Sequence, residues 1–456
     1  MKPSIPKGTR DFGPAEVIKR NYIFDTIREV FVRYGFQPIE TPAMEDLATL
    51  TGKYGEEGDQ LLFKVLNNGD FLSKADEQAL QAKDSAKLIP SISKRGLRYD
   101  LTVPFARFVA MHQNDIPFPF KRYQIQPVWR ADRPQKGRYQ EFYQCDVDVV
   151  GSESLVFEAE LAQIYDEVFQ KLGLKVAIKL NNRKILAGMA EAAGLSEDRF
   201  MDMTIAIDKL DKIGMDGVKQ ELSKRGVSEE AIAKIEAMLG TTELEALKAT
   251  FAASETGLKG IEELETVFSY LNLGDTHNTI QFDITLARGL NYYTGCIYEV
   301  AVDLSAEGQE NIKMGSIGGG GRYANLTENF GMKTNGSGVG VSFGAERIYD
   351  VIEELDRFPE DKANTLQLLF IAFDEKAHRY AFKALQQVRA AGINAELYPE
   401  PAKLKKQMKY ANQRNVPYVV LIGGREMESG ELAFKNMASG EQENLQLDTI
   451  IGRLKP

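Results

Sequence analysis

The sequence predicts a sheet-centred domain built on a long β-hairpin, split by a helical insertion and followed by a small α/β domain. Three observations carry this. Residues 121–130 and 139–150 are rich in aromatic and β-branched residues and flank a segment holding Pro134 and Gly137, the pattern of a hairpin with a long loop. From Arg183 to Leu273 the pattern is helical and charged, broken only by short turns. From residue 366 onward, strand-like runs (LQLLFIAF, NAELYP, PYVVLIGG) alternate with helical ones and end in a hairpin and a short helix, which predicts a sheet with parallel pairs.

Taken in order, residues 15–34 place Ile23, Phe24, Ile27, Val30 and Phe31, with Val17 and Ile18, on one helical stripe that Gly35 ends. Pro38 and Pro42 then allow only an extended segment at a sheet edge or interface. Residues 98–112 read as a strand end entering a helix near Pro104, with Asp100 and Thr102 as turn or capping residues. An amphipathic helix at 152–172 and a strand to Asn182 precede the insertion. After it come a strand-like block at 280–304 containing LARGLNYYTG, the glycine run GSIGGGGRYANL, and GSGVGVSFGAERI. In the last of these a strand, 339–343, enters a helix near Ala345 and sets Arg347 in its first turn, where a cation opposes the helix dipole. Gly319–Gly321, with Arg322 and Tyr323, suit either a pocket lining or a tight turn. The Pro-containing charged stretch 356–365 reads as a linker.

Composition bounds the chemistry. At 456 residues, 43% apolar and net charge −10, the chain has the make-up of a soluble multidomain protein. Two cysteines, Cys145 and Cys296, predict free thiols in a reducing compartment. No signal-peptide core and no run of about eighteen apolar residues occurs, so a cytoplasmic protein away from membranes is expected. Three scattered histidines argue against an imidazole metal site or a triad, and no dinucleotide or Walker fingerprint is present. Chemistry carried by arginine and carboxylate is the remaining expectation.

The hairpin is where charge concentrates. Lys121 to Arg138 holds six Lys or Arg against one acid, Asp132. Period-two counting places Gln124, Gln126 and Arg130 on one face of the first run, and Gln140, Phe142, Gln144, Asp146 and Asp148 on one face of the second. A cationic loop between polar-faced strands suits a polyanion, although a water-facing sheet would read similarly.

Six stretches together resemble one family. PKGTRDFGP (6–14), the helix with its Pro42 segment, FKRYQ to DVVG, LARGLNYYTG, GGGGRYANL and GVGVSFGAERI match, in order, the histidyl-tRNA synthetases, class II aminoacyl-tRNA synthetases, over essentially the whole length. The resemblance implies an α+β catalytic domain with an antiparallel sheet (1–182 and 274–355), the insertion (183–273), the linker (356–365) and an α/β anticodon-binding domain (366–456). It also implies a homodimer made partly through the first helix and the Pro42 segment, and a ligase acting on L-histidine, ATP with Mg²⁺ and tRNA(His), without a prosthetic group.

Residue roles follow from the same resemblance. Arg288 and Arg130 would be the catalytic cations. Asp100, Thr102, Arg130, Gln144, Asp148, Arg288, Tyr292, Tyr293 and Tyr323 would bind histidine. Arg130, Asp132, Arg138, Phe142 and Arg347 would bind ATP. Gln135, Arg138 and Gln140 would face the tRNA acceptor end, and no side chain is assigned to a metal. The competing expectation is a non-catalytic paralogue that binds histidine or tRNA to regulate another protein.

Overall fold

The structure is a computed structural model and describes residues 2–52, 55–288, 293–323, 330, 336–359 and 366–455. The chain divides into two compact units, Met1–Asp11 with Arg20–Arg357 and Phe12–Lys19 with Phe358–Pro456.

Strands of the first unit are β1 (Gln37–Pro38), β2 (Met44–Asp46), β3 (Lys64–Val65), β4 (Arg95–Leu97), β5 (Phe120–Trp129) and β6 (Glu141–Val150). They continue as β7 (Val176–Asn182), β8 (Thr279–Phe282), β9 (Cys296–Val302), β10 (Gly318–Tyr323) and β11 (Gly338–Gly344). Among the described residues, eight form one sheet in the order β1-β5-β6-β11-β10-β9-β7-β8, and β2-β4-β3 form a smaller one. Pairing is antiparallel from β5 through to β7, and parallel only where β1 and β8 close the two ends. The proline-bearing segment is thus an edge strand, as its missing N–H requires. The glycine run forms β10 rather than a tight turn, because its neighbours on both sides supply a full ladder.

Period-two alternation gives this sheet two unlike faces. One carries Tyr123, Cys145, Val147 and Phe343, all buried. Two helices cover it. From Pro14–Arg33, Phe31 lies 5.6 Å from Tyr123 and 5.7 Å from Phe343, centroid to centroid. From Val156–Lys171, Tyr165 lies 4.6 Å from Phe343. The first helix buries its stripe from Arg20 onward, while Val17 is exposed. The opposite face carries the polar residues that build the site.

Thr102–His112 is helical two residues earlier than Pro104 suggests, because Asp100 Oδ1 accepts the Val103 N–H at 3.1 Å and caps the first turn. Between β7 and β8 stand six helices among the described residues, from Arg183–Ala192 to Glu255–Leu271.

In the second unit, β12 (Leu368–Ala372), β13 (Ala395–Leu397), β14 (Tyr418–Ile422), β15 (Glu431–Asn436) and β16 (Gln442–Gln446) order as β13-β12-β14-β15-β16. The first three are parallel and the last pairs antiparallel. Phe370, Ala381, Leu385, Val388, Val420 and Ile450 form its core. A short helix, Gly424–Ser429, precedes the hairpin and has no counterpart in the sequence reading.

Candidate active site

Register fixes the floor of the site. On β5 and β6, Gln126 stands opposite Gln144, Gln124 opposite Asp146 and Arg122 opposite Asp148. On the other side of β6, Ser342 and Gly340 of β11 stand opposite Asp146 and Asp148. This polar face is not a water-facing surface: Arg122, Gln124, Asp146 and Asp148 are all buried.

Glycine makes that burial possible. A Cβ at Gly340 would stand 1.9 Å from Asp148 Oδ1, so a side chain there and this carboxylate exclude each other. Asp148 accepts the Tyr323 hydroxyl on Oδ1 at 2.9 Å and faces Arg122 Nη2 through Oδ2 at 2.8 Å. Burial raises the Asp148 pKa, and Arg122 and the Tyr323 bond pull it back. Burial pushes Asp146 up to about 7, against the pull of Arg122. The Arg122 guanidinium, fully buried, packs 4.2 Å over the Phe105 ring.

Above this floor lie two adjoining cavities, about 700 and 180 Å³, which share Arg130, Gln144, Gly319 and Ser342 on their walls. The larger one takes Arg130, Asp132, Arg138, Phe142 and Arg347, every residue expected at ATP, and Arg288. The smaller one takes Asp100, Thr102, Arg130, Gln144, Asp148, Tyr293 and Tyr323. Of these two cavities Arg288 lines the larger, and Tyr292 lies outside the described residues.

The larger cavity is cationic. Arg130 donates through Nε to the Tyr99 carbonyl at 3.0 Å, and its guanidinium lies 4.3 Å from the Tyr99 ring and 5.2 Å from Phe142. Arg347 donates to the carbonyls of Gly137 at 2.9 Å and Ser316 at 2.6 Å. Its pKa is lowered, first by burial and then by repulsion from Arg138, Arg288 and Arg130. Four mutually repelling guanidiniums on one cavity mark an anion site. Arg288 pairs with Glu299 of β9 at 2.6 Å, with Asp208 farther off at 3.8 Å.

The loop of the hairpin is braced from the N-terminus. Gln140 N–H donates to the Gly8 carbonyl at 2.9 Å, and the Arg10 guanidinium lies 3.4 Å over the Tyr139 ring. Arg10 and Arg20 both reach Glu346, at 2.6 and 2.5 Å. Gln135 and Arg138 exchange backbone hydrogen bonds at the tip, where Gly137 takes a φ of 72°. Gln140 turns its amide to the Asp132 carbonyl at 3.0 Å, and neither it nor Gln135 lines either cavity.

Sequence reading assigned no role to Arg122, Asp146, Ser342 or Glu299. The period-two face already contained Asp146, and its spacing was the available signal. Tyr323 lines the smaller cavity and Arg322 does not: Arg322 pairs with Glu158, Nη2 to Oε2 at 2.7 Å, because alternate residues of a strand point to opposite faces.

The family model described as histidyl-tRNA synthetase matches residues 69–348, more than half of the chain. The chain belongs to the histidyl-tRNA synthetase family. A second model, described as an anticodon binding domain, matches residues 367–456. Among histidyl-tRNA synthetase relatives, the histidine–tRNA ligase of Christiangramia forsetii is 57% identical over 462 residues, covering 100% of both chains. That of Bacteroides fragilis (strain YCH46) is 56% identical over 459 residues, covering 99% of each. The crystal structure of histidyl-tRNA synthetase from Nostoc sp. PCC 7120 superposes with a TM-score of 0.83 at 32% identity, covering 99% of each chain. The architecture is therefore that of a histidyl-tRNA synthetase: a mixed, largely antiparallel catalytic sheet with helices, and an anticodon-binding domain with its own sheet.

Proposed function

We propose that this chain is a ligase that activates L-histidine with ATP and transfers it to tRNA(His). The observation that carries the reading is the pair of adjoining cavities: one ringed by Arg130, Arg138, Arg288 and Arg347, the other lined by Asp100, Asp146 and Asp148, with Arg130 on both. A polyanion and a small cationic amino acid fit these walls, and Arg130 stands where their reacting ends meet.

The histidine carboxylate is already a nucleophile. Its oxygen attacks the α-phosphorus of ATP, which enters as its magnesium complex, and pyrophosphate leaves. A ribose hydroxyl at the tRNA 3′ end then attacks the acyl carbon and AMP leaves. Both steps build charge on oxygens that preorganised cations stabilise. Arg130 bridges carboxylate and α-phosphate, Arg288 is the second catalytic cation, and Arg138 and Arg347 hold the outer phosphates. Phe142 packs on the base near Asp132. Gln144, Asp100, Thr102, Asp148, Tyr293 and Tyr323 enclose the amino acid, and the family resemblance assigns Tyr292 to it as well. Gln135, Arg138 and Gln140 face the tRNA acceptor end.

The 183–273 helices serve as an insertion, 356–365 as a linker and 366–456 in reading the tRNA. The edge strand β1 and the helix before it supply part of a homodimer interface, in a cytoplasmic enzyme. Among the described residues no helix is long and apolar enough to cross a membrane. Histidine-dependent exchange of pyrophosphate into ATP, followed by charging of tRNA(His) transcript, tests the reading. Histidine binding without exchange would replace it with the regulatory paralogue.

A further inference from the structure

The smaller cavity holds two buried carboxylates, and they are not equivalent. Asp148 has both oxygens engaged, Oδ1 by the Tyr323 hydroxyl and Oδ2 by Arg122. Asp146, 2% exposed, also lines the cavity, and its Oδ1 is buried without a hydrogen-bond partner. An unsatisfied buried acceptor is costly unless something arrives to fill it.

Charge points the same way. The buried cation beside the two carboxylates is Arg122, which already pairs with Asp148. Its charge also draws the Asp146 pKa down against burial, so the two carboxylates share one buried cation. Arg130 lines both cavities; with the carboxylate of a bound amino acid on it, as the proposed function has it, the ring would extend into the smaller cavity.

We propose that Asp146 is a specificity residue for the amino acid, its free Oδ1 accepting an imidazole N–H while Asp148 holds Tyr323 and Arg122 in place. The inference rests on the reading of the smaller cavity as the histidine site. Burial has raised the Asp146 pKa to about 7. Its ionisation therefore falls in the range where the ring of free histidine also titrates, about 6.5. After burial, the cation of Arg122, the carboxyl of Asp148, a hydrogen bond from the Ser342 hydroxyl and the carboxyl of Asp100 share in setting that value.

Competitive binding against L-histidine distinguishes the roles, using two analogues. One, β-(thiazol-4-yl)alanine, keeps ring size but has no ring N–H. The other, imidazole-4-propionate, lacks the α-amino group. The unaltered enzyme should prefer histidine to the thiazole by ~10²-fold or more, as sites built to bond a donor do. In Asp146→Ala that ratio should fall towards ~1, with the preference over imidazole-4-propionate and the KM for ATP kept within ~3-fold. Asp146→Asn, which preserves volume should the alanine variant not fold, should lose ~10-fold or more for histidine because a charged acceptor becomes neutral. Equal weakening towards histidine and the thiazole would overturn the proposal and leave Asp146 structural. Collapse of the amino preference instead would overturn it in favour of an ammonium site, and unchanged binding in both variants would mean that a water occupies Oδ1. Failure of unaltered enzyme to support histidine-dependent exchange would overturn the site reading itself, a result distinct from these.

Discussion

Arg288 and Glu299 form an ion pair of 2.6 Å at the edge of the larger cavity, the arginine half exposed and the carboxylate buried in β9. Burial raises the Glu299 pKa and Arg288 is the largest opposing influence. The guanidinium is thus held at the wall of the larger cavity while its other donors stay available. Arg288→Ala should leave circular dichroism unchanged and slow histidine-dependent pyrophosphate exchange ~10²–10³-fold, the usual loss for one charge-stabilising group. An unaltered rate would remove Arg288 from the chemistry.

Arg322 and Glu158 are a structural pair. Glu158 is fully buried and takes Arg322 through both oxygens, while Arg322 also donates to Ser337 Oγ at 2.9 Å. Arg322→Met leaves that carboxylate without its partner. A loss of roughly 3–5 kcal/mol is expected, read as a lower urea midpoint, and a midpoint within error of the parent would show the pair to be dispensable.

Gly340→Ala places a methyl group on the Asp148 carboxylate. The displaced carboxylate lets go of Tyr323 and Arg122, at an overpacking cost of about 1–3 kcal/mol. Exchange assays should show the KM for histidine rising ~10-fold or more with the KM for ATP little changed; a rise in both alike would point to general collapse of the sheet.

Asp146 also makes stability depend on pH. Its native pKa, about 7, lies above that of the unfolded chain, so between the two values the native state binds the extra proton. Its contribution is fully present below the unfolded value, near 3.9, and is lost as pH rises through about 7. Urea midpoints of ligand-free protein between pH 5 and 8 should fall more steeply than those of Asp146→Asn, by on the order of a few kcal/mol in unfolding free energy. Parallel curves would show that Asp146 does not titrate in this range.

Much of this site was legible in the sequence, and the reason is geometric. Alternation along a strand needs no knowledge of the fold, so Phe142, Gln144 and Asp148 could be grouped at once, and the register bears that grouping out. What covers a face is another matter. The burial of Asp146 depends on β11, nearly two hundred residues later, whose Ser342 stands opposite it. Arg322 and Tyr323 read as one unit in the sequence, where adjacency hides opposite directions in a strand. The Thr102 helix starts before Pro104 because Asp100, outside the apolar pattern, caps its first turn.

The position of β11 in the sheet has a consequence for synthesis. It lies between β6 and β10, in the middle of the sheet, yet it is the last strand of the first unit to leave the ribosome. Glu346, which Arg10 and Arg20 reach across more than three hundred residues, follows it directly. A nascent chain that stops short of residue 344 can pair β5 with β6 but has nothing to join that hairpin to β10. The catalytic sheet therefore closes late, around a strand inserted between halves already made, and long-range pairing of this kind is slow and exposes edges while it waits.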